Sequence, residues 1–160
     1  MTQRVKLEVV DRRDFVVGAS AAAALAVLLG RAGTATAQDK PPTFDELYKK
    51  IIGDKTPAEG KVSIELPEIA ENGNTVPYSI SVESPMTDAN YVKSVHVMAS
   101  GNPSPTVATF HFTPMSGEAK VSSRMRLAKT QDIVAVAELS NGDMLVEKRT
   151  VKVTIGGCGG

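Results

Sequence analysis

Apolar and polar positions divide the chain into three regions of different period. From Phe15 to Leu29 the residues are almost all small or apolar, rich in Ala and broken only by Gly18 and Ser20. Between Phe44 and Ile51 the apolar residues Phe44, Leu47, Tyr48 and Ile51 fall at helical spacing on one face. Thr43 with Glu46 three residues later forms a capping box, and Gly53 is a C-terminal stop, so the pattern predicts a helix over 44–52. So short a helix is unstable alone and has to dock its apolar face on something.

After Pro57 the period falls to two. Val62, Ile64 and Leu66 alternate with polar residues, as do Tyr78, Ile80 and Val82, then Val95, Val97 and Ala99, then Phe110 and Phe112. Val121, Met125 and Leu127 share one parity, with Arg124 and Arg126 on the other; Val151, Val153 and Ile155 alternate with Lys152 and Thr154. Ile133 to Leu139 is nearly all apolar, the mark of a strand buried on both faces. Turn chemistry separates these runs at 72–74, 100–103, 116–117 and 141–143, and Asn141-Gly142 is the strongest hairpin signal. Seven short strands with no helical pattern between them predict an all-β fold, an immunoglobulin-like antiparallel β-sandwich carrying one short N-terminal helix. A small open barrel is the competing architecture.

The apolar run at 15–29 is too short to cross a membrane, which takes about 20 residues. Arg4, Lys6, Arg12 and Arg13 precede it and Ala35-Thr36-Ala37 follows it, so residues 1–37 read as an export signal cleaved near Ala37. Arg12-Arg13 followed by Phe15 points to the twin-arginine route, which moves proteins already folded; Asp11 and Val17 depart from that pattern. The expected organisation is a signal over 1–37, a lead and helix over 38–57, a sandwich over 58–155 and a tail over 156–160, in the periplasm. Of the 18 basic and 18 acidic residues, five and three fall in the signal, leaving 13 and 15 and a net charge near −2. That balance gives no basic excess for nucleic acid or an anionic membrane surface.

The chain has one cysteine, which rules out an internal disulfide and leaves either a reactive thiol or a link to another chain. It sits in Gly156-Gly157-Cys158-Gly159-Gly160. Glycine on both sides disfavours regular structure and offers nothing to pack, so 156–160 reads as a flexible arm. Three residues from Ile155 to Cys158 span roughly 10 Å when extended, enough to carry the thiol into a narrow cleft of another protein. A mobile arm is a poor place for catalysis, which needs groups held within about 0.5 Å. Cys158 is therefore a handle on which other proteins act, and no catalytic or metal-binding residue is assigned. His96 and His111 lack a carboxylate or second thiol at ligand spacing and read as polar-face residues. Met86, Met98, Met115, Met125 and Met144 are scattered, unlike a copper site, and Arg124 and Arg126 read as a solvated face.

The signal, the single all-β domain and the terminal Gly-Gly-Cys-Gly-Gly resemble the SoxY family, the sulfur-carrier subunits of the bacterial thiosulfate-oxidising Sox system. The resemblance implies that Cys158 holds sulfur intermediates covalently, that Gly156, Gly157, Gly159 and Gly160 form a swinging arm, and that the protein is not an enzyme and has no cofactor. It further implies a SoxZ-like partner subunit exported as a heterodimer, a c-type cytochrome that couples thiosulfate to the thiol, a sulfate thiohydrolase and, where present, a sulfane dehydrogenase. Three other readings compete, one of them a periplasmic thiol oxidoreductase with His96 or His111 as base. A secreted structural module could use Cys158 for an intermolecular disulfide. A ubiquitin-like carrier could use the terminal Gly159-Gly160 as a thiocarboxylate, but that chemistry needs cytoplasmic ATP and a β-grasp fold, against the signal and the strand pattern.

Overall fold

The computed structural model describes residues 40–157. The expected export signal and its expected cleavage site lie outside the described residues. Helix α1, Phe44–Ile52, begins at the capping box: the Thr43 amide donates to the Glu46 carboxylate at 2.9 Å, and the Glu46 amide to Thr43 Oγ1 at 3.4 Å. Gly53 ends it at φ 60°, a conformation that favours glycine, with its amide bonded to Lys49 O.

The strands follow as β1 (Ala58–Glu59), β2 (Val62–Glu65), β3 (Ile69–Asn72), β4 (Val76–Val82), β5 (Val92–Ala99), β6 (Thr106–His111), β7 (Ala119–Met125), β8 (Gln131–Leu139) and β9 (Met144–Ile155). They form two sheets, as a sandwich requires and a barrel does not. The larger has the order β1-β9-β8-β5-β6 with β3 also paired to β9; the smaller is β2-β4-β7. Asn141-Gly142 makes the β8–β9 hairpin, with Gly142 at φ 87° and Asn141 Oδ1 accepting from the Asp143 amide at 3.0 Å.

The period-two residues fill the space between the sheets. Val62, Ile64, Tyr78 and Ile80 from the smaller sheet join Val95, Val97, Ile133, Ala135, Ala137 and Val151 from the larger in one cluster. The other face of β8 explains its unbroken apolar run. Val134 and Val136, with Met98 and Met144, point away from that core and are covered by Phe44, Leu47, Tyr48, Ile51 and Ile52 of α1. Burying one such side chain is worth about 1.5–3 kcal/mol. The helix and the doubly buried strand are thus halves of one packing solution.

Three features differ from the sequence expectation. Strands β1 and β3 were not anticipated, and they pair with β9 in parallel rather than antiparallel fashion, Ala58 opposite Leu145 and Asn72 opposite Ile155. Strand β1 is two exposed residues and β3 buries only Ala70, so neither carries the alternation that marks a strand. Strand β9 also begins at Met144, well before Val151, because Glu147, Lys148 and Arg149 interrupt the apolar period where their side chains meet solvent and one another: Arg149 pairs with Glu147 at 3.1 Å, and Lys148 lies 3.7 Å from Asp132.

Candidate functional site

Strand β9 ends at Ile155 between two pieces of chain: the turn at 72–74 and the loop at 126–129 that follows β7. Three backbone hydrogen bonds join them in a closed ring. The Gly73 amide donates to Ile155 O at 2.7 Å, the Gly157 amide to Leu127 O at 2.8 Å, and the Leu127 amide to Gly73 O at 2.8 Å. Gly157 and Gly73 are buried, whereas the Ile155 side chain is 66% exposed, so backbone and not side chain fixes the tail here.

The approach is as close as glycine allows. A Cβ on Gly156 would collide with Ala128 O, one on Gly73 with Leu127 O, and one on Gly157 would sit 2.8 Å from Gly73 O. None of these three needs a positive φ; what they need is the missing side chain. The loop they meet is itself pinned. Asn102 donates to Arg126 O at 2.8 Å and accepts from the Ala128 amide at 3.0 Å, and buried Gln131 donates to Asn102 Oδ1 at 2.7 Å.

The expectation that the tail glycines pack against nothing is therefore corrected for Gly156 and Gly157. Both belong to a tight backbone contact. Cys158, Gly159 and Gly160 lie outside the described residues. Sequence reasoning did not bring Gly73, Leu127 and Ala128 together with the tail. Gly73 looked like an ordinary turn residue in Asn72-Gly73-Asn74, and that turn does form, with Asn72 Oδ1 accepting from the Asn74 amide at 2.9 Å.

The remaining candidates have structural occupations. His96 sits half-buried on the outer face of the larger sheet, its Nε2 3.2 Å from Ser94 Oγ and its Nδ1 3.1 Å from Thr109 Oγ1. Burial pushes its pKa below the ordinary value; the Glu138 carboxylate opposes this and His111 adds to it. Glu138 is held below the usual carboxylate range chiefly by its hydrogen bond from Lys93 at 2.9 Å. Among the described residues no group of three His, Cys, Asp or Glu could hold a metal. Met86, Met98, Met125 and Met144 are buried and Met115 is exposed, as core filling and chance exposure would have it. Arg124 and Arg126 are exposed, and neither is in an ion pair among the described residues.

The His96 environment sets a pH dependence. With the folded pKa below the unfolded value of ~6.5, the unfolded chain takes up the proton first as pH falls. Its contribution is present in full above ~6.5 and is lost as pH falls through the lowered folded value. Unfolding free energy measured in urea should drop between pH 7.5 and 5, and His96→Gln should flatten that drop. A drop of the same size in the variant would assign it to other groups.

The family model described as sulfur oxidation protein SoxY matches residues 48–158, which takes in the sandwich and the tail up to its cysteine. The chain belongs to the SoxY family. A solved structure of the sulfur carrier protein SoxY from Chlorobium limicola f thiosulfatophilum is 34% identical, covers 69% of this chain and 96% of its own, and superposes with a TM-score of 0.58. A superoxide reductase (neelaredoxin) from Ignicoccus hospitalis is 19% identical, with 59% and 80% of the two chains covered and a TM-score of 0.53. A putative superoxide reductase from Thermotoga maritima is also 19% identical, with 72% and 95% covered and a TM-score of 0.51. At this identity these two show a likeness of fold. No curated protein matches the chain. The all-β sandwich expected from the strand pattern is thus the fold of SoxY.

Proposed function

We propose that this SoxY chain is a periplasmic carrier that holds sulfur intermediates of thiosulfate oxidation on the thiol of Cys158 and presents them to partner enzymes. By its family it is a sulfur carrier and not an enzyme. The observation that carries the reading is position: the one cysteine is the last residue of the SoxY match and directly follows Gly157, whose amide is bonded to Leu127 O.

The chemistry follows from a thiol that the domain does not activate. A free cysteine has a pKa near ~8.5, so only a few per cent is thiolate at neutral pH. The partner has to supply both the activation and the oxidant. In the first step the Cys158 thiol and thiosulfate give a cysteine S-thiosulfonate, a new S–S bond, one proton and two electrons, the electrons passing to a c-type cytochrome. Water then cleaves the terminal S–S bond in a manganese-dependent thiohydrolase, releasing sulfate and leaving a persulfide on Cys158. Where a sulfane dehydrogenase is present, it oxidises the outer sulfur to the sulfonate with three waters, releasing six electrons to a cytochrome acceptor and seven protons, and a second hydrolysis releases sulfate and returns the thiol. Export in company with a SoxZ-like subunit accords with a twin-arginine signal.

The test is a thiol titration. With its partner subunit, the coupling cytochrome, oxidised electron acceptor and thiosulfate, the chain should lose one titratable thiol per molecule, and reductant should restore it. An unchanged titre in the presence of active cytochrome counts against the carrier role.

A further inference from the structure

Gly156 and Gly157 are bound into the ring formed with Gly73 and Leu127. Flexibility alone does not account for that ring. A flexible root would be served by serine or alanine nearly as well, yet each of the three glycines faces a backbone oxygen or nitrogen that leaves no space for a Cβ.

We propose that this ring is a backbone clasp that fixes the launch point of Cys158 at Gly157 rather than at Ile155, and that Gly73 and Gly156 are positioning residues for sulfur transfer. The inference rests on the carrier reading of Cys158. The free reach toward a partner shrinks from three residues to one, from roughly 10 Å to roughly 3.5 Å before the side chain is added. In exchange, the thiol leaves the domain at one place and in one direction. A partner then meets a prepared end instead of searching for a loose one, which lowers the ordering cost of each encounter. The loop that holds the tail is set from behind by Asn102 and Gln131, so the launch point is referred to the turn at 100–103 and to β8, not to the tail's own sequence. Among the described residues one hydrogen bond, Gly157 to Leu127, ties the tail side, because the bond to Ile155 O stays with the strand. The clasp can therefore open without disturbing the sandwich.

Two variants separate the clasp from the fold. Gly156→Ala inserts a methyl group against Ala128 O at a position beyond the last core residue, so the tail peels away while the sandwich stays intact. Asn102→Ala loosens the loop without touching the tail. Amide hydrogen exchange at Gly157 reports the clasp directly, with no sulfur chemistry involved. In the wild type this amide should exchange at least tenfold more slowly than an unstructured glycine, and protection should vanish in Gly156→Ala and fall in Asn102→Ala. Adduct formation on Cys158 by the coupling cytochrome with thiosulfate should then show KM raised at least threefold in Gly156→Ala with kcat unchanged, and labelling by a small disulfide should stay at the wild-type rate or rise. An unprotected Gly157 amide in a wild type that takes sulfur overturns the clasp alone. Protection lost in Gly156→Ala with an unaltered KM overturns its positioning role. A protected Gly157 in a wild type that forms no adduct overturns the carrier reading and reduces the clasp to a tether.

Discussion

Cys158→Ser is expected to fold as the parent does and to abolish thiosulfate-dependent sulfur loading and respiration. Among the described residues neither hydrophobic cluster takes a member beyond Val153, and the change should move the unfolding free energy by no more than the roughly 0.5 kcal/mol usual for surface substitutions. The loss should nevertheless be complete, because the chain has no second cysteine to take over the covalent step. Serine is nearly isosteric but cannot form an S–S bond. The measurement is oxygen uptake on thiosulfate by cells carrying the variant in place of the parent. A rate equal to the parent's would sink the carrier assignment.

Deleting Gly156 and Gly157 together is the second change with a large expected effect. It shortens the tail by two residues, roughly 7 Å of extended chain. It also places Cys158 directly after Ile155, in the position where a Cβ collides with Ala128 O. The tail then loses the contact with Leu127 and the length to compensate for it. Loading by the coupling cytochrome should fall by more than a hundredfold, while binding of the partner subunit and labelling by a small disulfide persist, since a small reagent comes to the thiol. Equal loss of both would mean that Cys158 depends on its own domain for reactivity. Loss of neither would mean that the partner's site is shallow and that the glycines serve another purpose.

The strand pattern carried most of the sandwich, because its inner positions are Val, Ile and Ala at period two with glycine-rich turns between them. The capping box at Thr43 and Glu46 is where α1 begins, and the doubly apolar run at 133–139 required a cover that α1 provides. The parallel additions β1 and β3 were illegible, since they exist only through pairing with β9 and have almost no pattern of their own. The start of β9 was hidden for a different reason. Glu147, Lys148 and Arg149 face solvent and pair with charges, so the apolar period stops there although the backbone ladder does not.

The geometry of the tail was not legible in the sequence. One cysteine among four glycines states what kind of group is on offer. It does not state that Gly73, some eighty residues earlier, and Leu127 come to meet it, because those contacts are made by backbone atoms that every residue possesses. Glycine itself is ambiguous in sequence: it signals freedom when nothing is near and close approach when something is. Gly156 and Gly157 belong to the second kind in this fold.

Intact-mass analysis of the protein taken from thiosulfate-grown cells, followed by fragmentation of its C-terminal peptide, tests the central claim most directly. The account predicts chains bearing thiosulfonate or persulfide sulfur, reductant-labile and located on Cys158. Only unmodified chains from cells actively oxidising thiosulfate, or sulfur adducts located at any other residue, would contradict it.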